Sequence, residues 1–163
     1  MASSVVLVPA FCAKTPPTVF FLRFLRLKIE LLHIIQLAVD SSQCLVHNVD
    51  LEPCPDGPAF CLLRRNKPYQ IKVDFTPKFT AEKLQLSVSS DSKKDGTFNT
   101  TVIPATNACD IVKCPLQDER QTLATAFTIS KRSRGKFPIQ LMLWNEENKN
   151  QTCCLTFNVR TLK

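Results

Sequence analysis

The stretch Asn107-Ala-Cys-Asp-Ile-Val-Lys-Cys-Pro-Leu116 carries two cysteines with four residues between them, and Pro115 ends any regular structure there. Such a pair can close a small disulfide ring or form half of a zinc site. Zinc sites usually leave about two to four residues between ligands and need a second pair nearby, so the disulfide is the favoured interpretation. Because a strand-like segment follows, the stretch predicts a stapled loop in a secreted β-protein.

The cysteine count supports an oxidising compartment. The chain has eight cysteines among 163 residues, which is many for a cytosolic protein and ordinary for a small oxidised one. Two N-glycan acceptor sequences, at Asn99 and Asn150, fit passage through the secretory route. We therefore expect a secreted, extracellular protein or one delivered to an endosomal or lysosomal lumen, and the sequence does not decide between these locations.

Residues 1–43 differ in composition from the rest of the chain. Val19–Val39 is rich in Phe, Leu and Ile, but charged or titratable residues interrupt it, which argues against a transmembrane span. The interruptions are Arg23, Arg26, Lys28, Glu30 and His33. Ile29–Val39 is a candidate core of a signal peptide, although it lies late for one. We expect an atypical N-terminal segment, a mature chain that begins near Asp40–Cys44, and one domain over residues 44–163.

The domain is basic. Residues 44–163 contain seventeen Lys or Arg and twelve Asp or Glu, a net charge of +5. Two clusters, Arg64–Lys67 and Lys131–Lys136, fall at predicted turns. Nucleic acid is a poor candidate partner because aromatic residues do not alternate with the cations and no helix is predicted to enter a groove. Solvated loops are the favoured interpretation, and weak contact with anionic membranes is the alternative.

Period-two alternation of apolar and polar residues recurs from Cys44 onward, with turn signals between the segments. The predicted strands are Leu45–Glu52, Tyr69–Thr76, Lys83–Ser89, Thr97–Ile103, Arg120–Ser130, Phe137–Trp144 and Thr152–Leu162. Pro104 is predicted to end the fourth strand. Half-apolar strands bury their faces by pairing two sheets, so the pattern predicts an all-β, immunoglobulin-like β-sandwich of about seven strands in two antiparallel sheets.

The residue inventory argues against an enzyme. The only histidines are His33, outside the domain, and His47, in the first predicted strand. The sequence has no nucleophile elbow, zinc-protease motif, P-loop or dinucleotide fingerprint. Asp74 and Glu82 form an isolated pair of carboxylates, and the favoured interpretation is that both are exposed to solvent and have no catalytic role. We expect no catalytic residues, no metal and no cofactor.

The inward-facing residues of these strands are strongly apolar. Pattern alone does not decide whether they form a filled core or line a dry cavity that binds apolar ligands.

Four motifs carry a family resemblance. They are Val49-Asp-Leu-Glu-Pro-Cys54, Cys61-Leu-Leu-Arg-Arg-Asn-Lys-Pro-Tyr-Gln-Ile-Lys-Val-Asp-Phe75, Asn107–Leu116 and Cys154-Leu-Thr-Phe-Asn-Val159. With these motifs, residues 44–163 resemble the ML family of lipid-recognition proteins, which includes Niemann–Pick type C cholesterol-transfer proteins and group-two mite allergens. The resemblance implies a two-sheet sandwich with a sterol or lipid cavity between the sheets.

The resemblance also implies three disulfides, Cys54–Cys61, Cys109–Cys114 and Cys44–Cys154. The sequence departs from the family at Cys153, which stands beside Cys154 where the family has one cysteine. Neighbours in a strand point to opposite faces, so the two cysteines are not equivalent. We expect Cys154 to be the bonded one. The nine residues between Cys44 and Cys54 are also fewer than the family usually has.

The resemblance therefore predicts a non-enzymatic, monomeric protein that binds and transfers a sterol or fatty-acyl lipid. The alternative is an innate-immune module that recognises microbial lipids and acts through a receptor partner. The residues predicted to line the lipid cavity are Val73, Phe75, Leu86, Val88, Phe98, Val102, Phe127, Ile129, Phe137, Leu141 and Phe157.

Overall fold

The computed structural model describes residues 7–9, 37–39, 43–54 and 61–162. Across these ranges the secondary structure is entirely β, and no helix in them could cross a membrane. Most of the N-terminal segment, including much of the candidate signal core, and residues 55–60 between Cys54 and Cys61 lie outside the described residues.

The described residues form ten strands. In chain order they are β1 (Leu7–Pro9), β2 (Leu37–Val39), β3 (Cys44–Glu52), β4 (Cys61–Arg64), β5 (Pro68–Pro77), β6 (Leu84–Ser90), β7 (Thr100–Asn107), β8 (Gln121–Thr128), β9 (Gly135–Asn145) and β10 (Thr152–Leu162).

These strands make two sheets. The large sheet has the order β1-β2-β10-β9-β6-β7, with β4 also paired to β10, and the small sheet has the order β3-β5-β8. The pairs β1–β2 and β4–β10 are parallel, and the remaining pairs are antiparallel. The predicted immunoglobulin-like β-sandwich is confirmed, with more strands than the seven expected.

Side-chain alternation sets which face of each strand is buried. In β5, Tyr69, Ile71, Val73 and Phe75 are buried while the residues between them are exposed or half-buried. The central strand β9 repeats this pattern over Phe137–Leu143. Because successive side chains point to opposite faces, each strand supplies one apolar row, and the rows of the two sheets meet in the core.

Strand β4 was not predicted. Its four residues, Cys61-Leu-Leu-Arg64, are too few for a period-two signal to stand out. The strand forms because Cys54–Cys61 anchors its first residue and because it pairs in parallel with the end of β10, from Val159 to Leu162.

The fourth predicted strand is displaced along the chain. The prediction was Thr97–Ile103 with an end at Pro104, whereas β7 spans Thr100–Asn107 and contains that proline. A proline lacks an N–H but is tolerated in a strand at a sheet edge or at a bulge. Both conditions apply, because β7 is the last strand of its sheet and its register with β6 shifts between Leu86 and Val88.

Strand β2 precedes the predicted start of the domain. It pairs antiparallel with Leu155–Phe157 of β10 and lies between β10 and β1 in the large sheet. The domain boundary at residue 44 stays a prediction.

Candidate functional site

A void lies between the two sheets. Its volume is about 20 Å³. Strands β3, β5 and β8 form one wall, and β9 and β10 form the other. The lining residues are Val46, Val73, Phe75, Leu123, Leu141, Leu143, Cys153, Cys154 and Leu155. All of these side chains are apolar or sulfur-containing, and a space of this size holds about one water, which would find no polar partner in it. The void is therefore expected to be dry.

Three of the predicted cavity residues line this void: Val73, Phe75 and Leu141. Six others are buried in the core but do not line the void, namely Leu86, Val88, Phe127, Ile129, Phe137 and Phe157. The last two, Phe98 and Val102, are half-buried, and Phe98 lies outside the strands. The larger predicted lining stays a prediction.

The position of the void along the strands explains why Phe127 and Phe157 do not line it. It lies toward the end where β3 begins and β5 finishes, beside Cys44. Phe127 pairs with Tyr69 near the start of β5, and Phe157 pairs with Ile139 nearer the opposite end. Leu86 and Val88 are level with the lining residues Leu143 and Leu141 but lie one strand further across the sheet, on β6. Alternation gives the face on which a side chain lies but not its distance from a given point between the sheets.

Some lining residues were missed by the sequence argument. Leu143 and Leu155 lie two residues from the predicted Leu141 and Phe157, and so share their faces. Val46 follows Cys44 at the same spacing. These residues could have been found by extending each predicted row of inward-facing side chains by two residues along its strand.

The inter-sheet disulfide corrects one prediction. Cys44 is bonded to Cys153, with their Cα atoms 5.4 Å apart, so the choice of Cys154 as its partner was wrong. Cys153 shares the inward face of β10 with Leu155 and Phe157, and Cys44 shares the inward face of β3 with Val46. A bond that crosses between the sheets needs both sulfurs on inward faces. Cys154 is itself disulfide-bonded in the structure.

The predicted stapled loop is confirmed. Cys109 and Cys114 form a disulfide, which uses both sulfurs and removes this pair as half of a zinc site. The side chain of Asn107 accepts a hydrogen bond of 3.1 Å from the Cys109 N–H. After the ring, Leu116 and Ala81 exchange two backbone hydrogen bonds of 2.7 and 3.1 Å. The loop is therefore fixed to the start of the β6 segment.

The second predicted short disulfide, Cys54–Cys61, is also present, with 5.3 Å between the Cα atoms. It joins the end of β3 in the small sheet to β4 in the large sheet. It is therefore a second covalent connection between the sheets.

Two of the polar groups considered for catalysis, Asp74 and His47, have hydrogen-bond partners in the small sheet. Asp74 accepts hydrogen bonds from Thr122 Oγ1 at 2.6 Å and from Arg120 Nη2 at 3.1 Å. The Thr122 bond and then the Arg120 bond lower the pKa of Asp74 below 3.8. Glu82 is exposed, and the ring of His47 is hydrogen-bonded to Thr76 Oγ1 at 2.8 Å. These contacts hold strands β3, β5 and β8 together.

Both glycan acceptor residues are exposed. Asn99 follows the Asp95-Gly96 turn, and Asn150 lies in the turn before β10. Glycosylation stays a prediction at both positions.

A sequence profile described as the ML domain matches residues 38–161. The chain belongs to the ML-domain family. This ML-domain protein is similar in structure to a Niemann–Pick type C2 protein from the Japanese carpenter ant, with a TM-score of 0.55 and 16% identity over 75% of this chain and 95% of that one. At that identity the likeness shows the fold alone.

A second structure, the CARDB domain of a Pyrococcus furiosus protein in complex with di-metal ions, has a TM-score of 0.36 and 15% identity over 74% of this chain and 90% of that one. This likeness carries no argument. No protein with a curated description matches the sequence. Family membership confirms the resemblance found in the sequence and supports lipid binding as the general role.

Proposed function

We propose that the protein is a secreted, non-enzymatic carrier that binds a sterol or a fatty-acyl chain between its two sheets and transfers it. The observation that carries the proposal is the wholly apolar void between the sheets of an ML domain. An apolar enclosure without polar partners selects ligands by desolvation and shape, so we expect a broad preference among apolar lipids.

Ligand entry requires the sheets to move apart. Pockets for ligands of this kind have about 300–1,000 Å³. The void of about 20 Å³ is far smaller than such a ligand, so binding in this place needs the two sheets to separate. Separation of the sheets exposes core side chains, and the ligand offsets this cost by burying its own surface at about 25 cal/mol per Å².

The disulfides suit such a movement. The Cys44–Cys153 bond spans 109 residues, and a loop of that length stabilises the fold by about 4–5 kcal/mol on the chain-entropy model. That contribution does not depend on how tightly the core packs. A sandwich that loses packing on opening is therefore still held folded.

The three disulfides between described residues and the two exposed acceptor sequences support the extracellular part of the proposal. We infer a monomer whose main partner is its lipid. An immune-recognition role would need, in addition, a protein surface that changes when lipid binds.

The test is lipid binding by the secreted protein. We expect mass spectrometry to find co-purifying lipid and a fluorescent sterol to bind with saturation. Leu141→Asp and Phe127→Asp place a charge between the sheets and are expected to abolish binding, because an unpaired buried charge costs several kcal/mol. Leu45→Asp is the matched control, since Leu45 is 50% exposed.

Thermal unfolding identifies which variants are folded. Undiminished sterol binding by folded forms of both core variants would contradict the site. A lipid-free preparation that ignores added sterol and fatty acid would contradict the carrier function itself.

A further inference from the structure

One end of the sandwich collects cations from three separated segments of the chain. These are the end of β4 with the β4–β5 loop, the β6–β7 loop and the β8–β9 loop. We call the set the basic row, and its members are Arg64, Arg65, Lys67, Lys93, Lys94, Lys131, Arg132 and Arg134. It holds eight of the seventeen Lys and Arg of residues 44–163. All but Arg65 are exposed.

Direct contacts place the first loop beside the third. Asn66 N–H donates to the Ile129 carbonyl at 2.8 Å. Arg65 donates to the Lys131 carbonyl at 3.1 Å through Nη1 and to the Leu162 carbonyl at 3.2 Å through Nε. Arg65 thus fixes the loops while its neighbours point to solvent.

The second loop reaches the third from the other side. Lys94 Nζ lies 3.3 Å from the point that a Cβ on Gly135 would occupy, at the start of β9. The three loops therefore follow one another across the end of the molecule, with the β8–β9 loop in the middle.

The charge of the row is not balanced within these loops. Residues 64–67, 91–97 and 129–134 contain two carboxylates, Asp91 and Asp95. Asp91 accepts hydrogen bonds of 3.0 Å from the Asp95 and Gly96 N–H groups, and Asp95 accepts from Thr97. Both carboxylates are engaged in the turn itself. The ion pairs between described residues involve Lys83, Lys113 and Arg120, none of which belongs to the row.

We propose that the basic row binds a linear sulfated polysaccharide. A row of cations matches a polymer that carries its charges along its length, and four of the eight members are arginines, whose planar fork suits multi-oxygen anions. The proposal depends on the extracellular location given above and not on the ligand of the void.

A bilayer is the less suitable anionic partner. Membrane attachment grows with the apolar area that enters the interface as well as with charge. Among the described residues the exposed large apolar side chains are Leu45 and Leu162, and only Leu162, at 40% exposure, lies near the row. The surface is thus suited to ionic contact with a polymer rather than to insertion.

The test uses a size-defined heparin oligosaccharide and the full protein in about 150 mM NaCl, where screening removes weak long-range attraction. Lys131→Gln/Arg132→Gln/Arg134→Gln removes three charges from the middle of the row. Lys72→Gln/Lys113→Gln/Lys149→Gln removes three charges elsewhere. We expect the first variant to bind about tenfold more weakly or worse, and the second to bind nearly as wild type, because polyanion affinity follows the number of cations in contact.

Heparin binding should also fall steeply with salt, and the row variant should show a shallower slope. Hyaluronan, which carries carboxylates but no sulfate, should bind much more weakly.

Equal losses of heparin affinity in the two variants, or no heparin binding by folded wild-type protein, would overturn the proposal. So would tighter binding to phosphatidylserine vesicles with the same loss in the row variant, which would identify the surface as a membrane contact. Sterol binding by both variants is measured separately. A negative result with heparin therefore does not count against the proposed lipid-carrier function.

Discussion

At the scale of single residues, Asp74 shows how the small sheet fixes a charge on its outer face. Asp74 on β5 lies directly opposite Thr122 on β8, and Arg120 approaches from the residue before that strand. Opposed residues in an antiparallel pair are close enough for side chains to bond. Because both contacts favour the ionised carboxylate, the pKa of Asp74 is lowered, with the Thr122 bond as the larger cause.

Thr122→Val should therefore raise the pKa of Asp74 toward 3.8. The group's contribution to stability is present above its ordinary pKa of 3.8 and is lost as pH falls through the lower value of the folded protein. We expect the variant to lose about 1 kcal/mol at neutral pH and to show less further loss on acidification. Titration of the carboxyl by NMR and unfolding at several pH values measure both effects.

Thr128→Val, on the same strand, is the control and should leave the titration of Asp74 unchanged. An unshifted Asp74 pKa in Thr122→Val would contradict the assignment of the main cause.

The choice between two adjacent cysteines was also decided at this scale. Cys153 lies two and four residues before the inward-facing Leu155 and Phe157, so the face of the cysteine bonded to Cys44 was predictable from the alternation of β10. The family pattern favoured Cys154 instead. The alternation of side chains along β10 was the better guide, because a disulfide between the sheets depends on which face of the strand the cysteine side chain lies on.

At the scale of elements, β4 depends on contacts that cannot be predicted from its own four residues. On one side it pairs with β10, and on the other the Arg64 N–H donates to the hydroxyl of Tyr69 at 2.6 Å. That hydroxyl closes the edge of a four-residue strand. Tyr69 also packs against Phe127 with the ring centroids 6.2 Å apart.

Tyr69→Phe should remove this acceptor and leave the ring contact with Phe127 in place. The Arg64 N–H then loses its partner, and we expect a loss of about 1 kcal/mol together with faster hydrogen exchange at that amide. Amide exchange of β9, in the centre of the large sheet, serves as the internal reference. Unchanged exchange at Arg64 would show that the hydroxyl does not protect it.

Long alternating segments such as β5 and β9 were predictable because each gives several period-two repeats. The edge strand β7 was less so, because Pro104 is a strong stop signal whose effect disappears at a bulged edge. The local sequence pattern was thus enough to predict that a segment forms a strand. Where the strand begins and ends depended on its place in the sheet.

At the scale of the whole molecule, the void is an unfilled apolar space in the core between the two sheets. Val73→Leu adds one methylene to its wall, so we expect the stability to change by less than about 1 kcal/mol. Sterol affinity should fall by about tenfold, the usual effect of one methylene in an apolar pocket. Urea unfolding and titration with a fluorescent sterol measure the two quantities.

Val159→Leu is the matched control, since Val159 is fully buried and does not line the void. It should overpack the core and cost about 1–3 kcal/mol. If Val73→Leu and Val159→Leu destabilised the protein equally, the void would have no room for the added methylene.

The two inter-sheet disulfides lie along the same long edge of the sandwich. Cys44–Cys153 ties the beginning of β3 to β10, and Cys54–Cys61 ties the segment after β3 to β4. At the opposite long edge, the chain itself crosses from β7 to β8 through the stapled loop at one end. The β3 edge is therefore covalently fixed at two points, whereas no disulfide between described residues joins the sheets at the β7–β8 edge. If the sheets separate to admit a lipid, as proposed above, the β7–β8 edge should move further than the β3 edge.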